Sequence, residues 1–288
     1  MEGVLKVALI VALAYGALTA LVYFQQDRLL YYPQIGREAT VTPANIGLDF
    51  RTLWIRTEDG ETLHGWWIPA ADARSAVIVF HGNAGNISHR IQYAGMFHRL
   101  RVGTLLVEYR GYGQSTGSPS EEGTYRDAAA TWRWLVEENG MQPRDIVVFG
   151  ESLGGAVAAW LAAREPARAL ILASTFTSVP DLGSEVYPFI PVRLLSRYRY
   201  DTLEVLPRVK APVLIAHSRT DDVIPVSHGE RLFAAASEPK QWLELAGGHN
   251  DGFLFTRPEW IQAVGAFLTQ HAPHDAERGS SEAVGITR

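Results

Sequence analysis

Apolar residues follow three rhythms along this chain. The first is unbroken: Val7 to Phe24 carries no charged residue, and Val4 and Leu5 extend the run past Lys6. The second comes in short blocks. Asp49 to Arg56 and Glu61 to Ile68 read as two strands joined by the turn Glu58-Asp59-Gly60. Ala76 to Phe80, Thr104 to Tyr109, Asp145 to Phe149, Ala169 to Ala173, Val213 to His217 and Gln241 to Leu245 read as further strands, several apolar on both faces. The third rhythm is helical, over Ser88 to Leu100, Glu121 to Glu138, Ala156 to Ala163, Ser227 to Ala236 and Pro258 to Gln270. Strands alternating with helices predict an α/β protein, with a mainly parallel central sheet and helices on both faces. No repeat or linker divides residues 48–270, which read as one domain. Residues 25–47 form a lead-in broken by Pro33, Gly36 and Pro43, and the polar tail, residues 271–288, reads as disordered.

The first run is long enough to cross a hydrocarbon core of about 30 Å as a helix. It is apolar on every side, which argues against a helix buried in a globular core. A cleaved signal peptide is the rival reading. Ala12-Leu13-Ala14 has the right small residues but lies inside the run, and Gln25-Gln26-Asp27-Arg28 follows Phe24 where a cleavage site would stand. Residues 4–24 therefore read as a single-pass anchor. Lys6 and the amino terminus place the domain on the periplasmic or exterior side, while Arg28 and Arg37 pull the other way.

Chemistry concentrates at Gly150-Glu151-Ser152-Leu153-Gly154-Gly155, between a strand and a small-residue helix. Glycines there allow strand and helix to pass close together and lift the Ser152 hydroxyl into the open. A serine hydroxyl is a poor nucleophile until a base takes its proton, and that base needs a third group to orient it. In this topology the partners follow in the order acid, then histidine, on loops after later strands. Asp221 and Asp222 follow the strand ending at His217, and His249, after Gly247 and Gly248, follows the strand ending at Leu245. Of nine histidines, only His249 stands where the order requires. His81 and His217 read as residues at strand ends that serve packing or local hydrogen bonds, and His64, His89, His98 and His228 as exposed or helix-surface residues. Two N–H groups would complete an oxyanion hole: that of Leu153, and one from His81-Gly82-Asn83-Ala84-Gly85-Asn86, where Asn83 is the choice.

With 47% hydrophobic and 20% charged residues the chain is ordinary globular material, and its net charge of -5 implies no nucleic-acid affinity. It has no cysteine, which excludes disulfides, thiolate metal sites and a cysteine nucleophile.

These motifs carry a resemblance. His81 to Asn86, Glu108-Tyr109-Arg110-Gly111-Tyr112-Gly113 with Ser115, Gly150 to Gly155, Asp221 to Pro225 and Gly248-His249-Asn250 resemble the α/β-hydrolase superfamily, and within it the Bem46-like, ABHD-type membrane-anchored serine hydrolases. The resemblance implies an α/β-hydrolase fold with Ser152 as nucleophile, Asp221 as acid, His249 as base, and Asn83 and Leu153 in the oxyanion hole. It also implies hydrolysis of carboxylic esters or thioesters, with a small-molecule or lipid-like acyl substrate and no metal or cofactor. Cleavage of amides or peptides by the same triad, or a silent member used for binding, are the alternatives. Ser218 stands where relatives carry glycine, which leaves Asp222 open as the acid. Palmitoylation is not supported in a chain without cysteine. Residues 175–208, rich in apolar and aromatic side chains, read either as a short lid over an acyl pocket or as a loop packed on the domain.

Overall fold

The structure is a computed structural model that describes residues 1–272 except Gly36. The expected disordered tail lies, but for its first two residues, outside the described residues. The chain opens with helix α1 (Glu2–Phe24), none of whose residues is buried. It continues with α2 (Gln26–Leu30), then β1 (Arg51–Arg56), β2 (Thr62–Ile68), β3 (Ala76–Phe80), α3 (Ile91–Arg99), β4 (Gly103–Val107) and α4 (Glu121–Arg133). β5 (Ile146–Glu151), α5 (Leu153–Ala162) and β6 (Ala169–Ala173) form the central crossover. After α6 (Val179–Val186), α7 (Val192–Leu195) and α8 (Thr202–Val205) come β7 (Val213–Ser218), α9 (Val226–Ala235), β8 (Lys240–Leu245) and α10 (Pro258–Gln270).

The eight strands form one sheet in the order β1-β2-β4-β3-β5-β6-β7-β8. β1 and β2 pair antiparallel, as does β2 with β4, and every later pairing is parallel. Alternate strand residues serve two cores. Ile78, Val148 and Leu170 face one containing α5, and Val77, Val147 and Ile171 face one containing α3 and α10. Both faces are therefore covered, which is why the strands read as continuous apolar runs.

The order also fixes the place of a site. From β3 the chain crosses to β4 on one side, and β5 returns to pair with β3 on the other, with Phe80 opposite Gly150. A crevice opens outside the carboxyl ends of strands where the winding reverses. The loop after β3 and the turn after β5 meet there.

Two expectations change. The lead-in is not merely irregular: it is pinned to the domain. Tyr31 is buried, its hydroxyl 2.8 Å from that of Tyr200, and the Tyr32 N–H donates to Asn83 O at 3.0 Å. The helix expected to reach Glu138 widens into a π-turn at Trp134–Glu138, where Asn139 N–H reaches back to Trp134 O.

Candidate active site

Ser152 lies between β5 and α5 with φ 53° and ψ -120°, a conformation that side chains with a Cβ seldom adopt. Its N–H donates to Ala173 O at 2.9 Å, and Thr175 Oγ1 donates to its carbonyl at 2.6 Å, so strand β6 and the chain beyond it hold the turn. The glycines are required by contact. A Cβ on Gly150 would lie 2.2 Å from Gly154 O, and one on Gly154 would lie 2.1 Å from Phe80 O. No side chain fits at either position.

The loops after β7 and β8 bring two more predicted residues to this turn. His249 Nε2 lies 3.1 Å from Ser152 Oγ. Its Nδ1 lies 2.9 Å from Asp221 Oδ2 and 3.1 Å from Oδ1. With Nδ1–H donated to a carboxylate, Nε2 is left to face the serine hydroxyl. The Asp221 side chain is fully buried, and its Oδ1 also accepts the N–H groups of Val223 at 3.0 Å and Ile224 at 2.8 Å. Burial pushes its carboxyl up. The hydrogen bonds from His249, Ile224 and Val223 outweigh that and hold it below the usual carboxylate range.

Asp222 does a different job. It is exposed, and its Oδ1 accepts the backbone N–H of His249 at 2.7 Å. The geometry separates the adjacent aspartates: one meets the imidazole and the other the main chain of the same residue. Ser218 ties the two loops together by donating to Gly247 O at 2.6 Å.

Asn83 and Leu153 come to the same place. Leu153 opens α5, so its N–H is one of the helix's unpaired donors and points with the helix dipole towards the site. Gly82 adjoins the serine: a Cβ there would stand 3.4 Å from Ser152 Cβ, in ordinary van der Waals contact. The Asn83 peptide is held from two sides: its carbonyl accepts Tyr32 N–H and the Tyr112 hydroxyl at 2.8 Å, and its Nδ2 donates to Leu30 O at 3.2 Å.

The fold and sequence resemble those of known proteins. Residues 75–203 match the family model for the alpha/beta hydrolase fold. The chain is 40% identical over 274 residues to an uncharacterised protein of Mycobacterium tuberculosis, covering 93% of this chain and 96% of that protein. It is 33% identical over 294 residues to the bem46 protein of Schizosaccharomyces pombe, covering 94% and 98% respectively. The fold superposes on a Pyrococcus furiosus esterase with a TM-score of 0.72 at 19% identity, over 85% of this chain and 98% of that one. The chain is a Bem46-like member of the α/β-hydrolase family.

In this α/β hydrolase, a cavity of about 500 Å³ leads away from Ser152. Phe176, Val179 and Leu182 form one wall, with Val186, Ile190 and Leu195 further along the same segment, while Tyr200 and Leu206 pack into the core. The opposite wall comes from a part of the chain not assigned to the site by sequence: Val22 and Gln26, at the end of α1 and the start of α2, with Leu29 and Leu30. A smaller cavity of about 260 Å³ also reaches Ser152 and is lined by polar groups, among them His89, Arg90 and Glu151. Arg90 Nη2 pairs with Glu151 Oε1 at 3.0 Å.

Two histidines expected to be exposed are buried, His64 and His228. His228 Nδ1 accepts from the Thr177 N–H at 3.2 Å, which requires that nitrogen to be unprotonated, and burial lowers the imidazole's tendency to charge. His81 and His217 are buried as expected, with His217 Nε2 2.9 Å from Ile224 O. Tyr32 and Tyr112 clamp the Asn83 loop from two distant parts of the chain, a clustering that only the tertiary fold reveals.

Proposed function

We propose that this protein is a membrane-anchored serine hydrolase that cleaves carboxylic esters or thioesters. The observation that carries the reading is the hydrogen-bonded line Asp221–His249–Ser152 at the mouth of an apolar cavity. Ser152 Oγ attacks the acyl carbon while His249 Nε2 takes its proton. Negative charge moves to the carbonyl oxygen, where the Leu153 and Asn83 N–H groups receive it. Collapse of the tetrahedral intermediate breaks the bond to the leaving oxygen or sulfur, which takes the proton from His249. Water then attacks the acyl-enzyme by the same route and releases the acid. Asp221 holds the imidazole tautomer and stabilises its transient charge. The acyl chain occupies the apolar cavity and the leaving group faces the polar one beside Arg90 and Glu151.

α1 is the anchor. It is long and apolar enough to span a bilayer and buries no residue in the domain. The Lys6 end stays inside, which sets the domain on the periplasmic or other extracytoplasmic side.

A fluorophosphonate probe tests the central claim. The wild-type protein is expected to be labelled and to hydrolyse short p-nitrophenyl esters, and Ser152→Ala to do neither. A folded wild-type protein that takes no label and cleaves no ester overturns the reading.

A further inference from the structure

The cap carries apolar surface that faces no protein. Val186 is 53% exposed, and Phe189 and Leu194 are each 87% exposed. Single exposed apolar residues are ordinary, but these lie on one short segment and adjoin a helix that is itself apolar all round.

The contact between them fixes their level. The Tyr15 hydroxyl, in the middle of α1, donates to Phe189 O at 2.8 Å. From Tyr15 to Phe24 is about 14 Å of helix axis at 1.5 Å per residue. The tip of the cap therefore stands well below the end of the membrane helix. Polar groups gather at the other end of the same contact. Gln26 Nε2 donates to Leu195 O at 2.8 Å, and Asp27 binds Arg197 and the Tyr198 hydroxyl. Arg197 also stacks over the Tyr23 ring. An aromatic and charged band at this level, with bare apolar side chains beneath it, is the profile of a segment crossing an interface. The charged residue within the cap tip, Arg193, is 70% exposed and has a partner in the protein, Asp181, at 3.1 Å.

The acyl cavity has walls from both sides of this contact, Val22 and Gln26 from the anchor and Val186 and Ile190 from the cap.

We propose that the cap segment around Phe189 and Leu194 dips into the bilayer beside α1, and that the acyl cavity takes its substrate's chain directly from the leaflet. The proposal rests on the hydrolase reading above and names its substrate class, a long-chain acyl ester resident in a membrane. The chain reaches Ser152 between α1 and the cap without crossing water, so its apolar surface is never exposed during entry. The cap is a second membrane contact, and the anchor is part of the binding site rather than a tether.

Full-length protein in vesicles of phosphatidylcholine and phosphatidylglycerol tests this. Phe189 and Leu194 do not line the cavity, so the double variant Phe189→Asp/Leu194→Asp leaves the site itself unaltered. Its turnover of soluble methylumbelliferyl butyrate is expected to stay within about twofold of wild type. Turnover of methylumbelliferyl oleate held in the vesicles is expected to fall at least tenfold. The second arm needs no activity. Because the chain has no cysteine, an environment-sensitive fluorophore can be placed singly at Phe189→Cys, Leu13→Cys or Asp72→Cys. Labels at 189 and 13 are expected to be quenched by spin-labelled lipid, and the label at 72 not. An unchanged oleate rate in the double variant, or a label at 189 that behaves like the one at 72, overturns the proposal. If wild type cleaves neither ester, the hydrolase reading fails, while the fluorescence arm still decides whether the cap enters the membrane.

Discussion

Asp222 and His249 are joined through the main chain: Asp222 Oδ1 accepts the His249 N–H at 2.7 Å, while the neighbouring Asp221 carries the imidazole. Adjacent carboxylates thus set the position and the tautomer of one histidine separately. Asp221→Asn is expected to lower turnover by about ten-thousand-fold, because the amide favours the wrong imidazole tautomer. Asp222→Asn keeps an oxygen acceptor and is expected to cost less than about threefold, whereas Asp222→Ala frees the loop and should cost about tenfold, or roughly 1.4 kcal/mol in the barrier. Steady-state rates on a short ester rank the three variants. Equal effects of the two Asn variants would reject the assignment of Asp221.

The ionisation of Asp221 predicts the shape of the acid limb of activity. Its carboxyl is held below the usual range by His249, Ile224 and Val223. A depressed carboxylate keeps its stabilising charge above the unfolded value of about 3.9 and loses it only as pH falls through the lower folded value. It therefore stays ionised from pH 7 to pH 5. Any fall in the logarithm of kcat/KM over that range is expected to have a slope no steeper than one, since this group adds no second protonation. A slope of two would show that Asp221 titrates there.

Much of this was legible in advance, for identifiable reasons. Buried parallel strands leave unbroken apolar blocks, and the block Ala169–Ala173 coincides with β6 residue for residue. Loop order after successive strands fixes which histidine returns to the elbow, and His249 Nε2 lies 3.1 Å from Ser152 Oγ there. What failed were environments made by distant chain. His228 follows a polar turn in sequence, yet Thr177 closes over it. His64 stands in a strand whose two neighbours bury it, and Ser115 Oγ takes its N–H at 2.9 Å. The lead-in looked loose because its contacts, Tyr31 with Tyr200 and Tyr32 with Asn83, span more of the chain than any local pattern reports.

The motif around Tyr109 and Tyr112 rests on a buried ion pair. Asp127 accepts Arg110 N at 2.8 Å and Arg110 Nε at 2.9 Å, with its side chain only 2% exposed. Asp59 takes the outer face of the same guanidinium at 2.7 Å. Removing one partner of a buried pair leaves an uncompensated charge and typically costs about 3–5 kcal/mol. Asp127→Ala is expected to destabilise by about that amount, read as a lowered urea midpoint at unchanged slope. Tyr109 donates to His81 O at 3.0 Å and Tyr112 to Asn83 O, so the variant should also lose esterase activity per folded molecule. A loss under about 1 kcal/mol would show that Asp59 alone satisfies Arg110.

The anchor and the domain are expected to separate cleanly only if the cut falls in the right place. Sequence alone suggests that deleting residues 1–26 leaves an active soluble domain, since every candidate catalytic residue lies beyond residue 80. The structure moves that boundary. Gln26 donates to Leu195 O and its Oε1 accepts Arg197 N–H at 2.8 Å, two bonds that hold the end of the cap. Each is worth about 1 kcal/mol net. A chain starting at Gln25 keeps both, while one starting at Asp27 loses both and opens the cavity wall. The longer form is expected to hydrolyse a short ester at close to the full-length rate, and the shorter to show a lower thermal midpoint and a raised KM with kcat less affected. Full-length protein should remain with membranes through high-salt and alkaline washes. Apolar burial worth about 25 cal/mol per Å² along α1 is insensitive to the salt that screens surface charge within about 10 Å at 0.1 M. Identical kinetics and melting of the two truncated forms would show that Gln26 does not hold the cap. Release of the full-length chain by salt alone would show that α1 is not embedded.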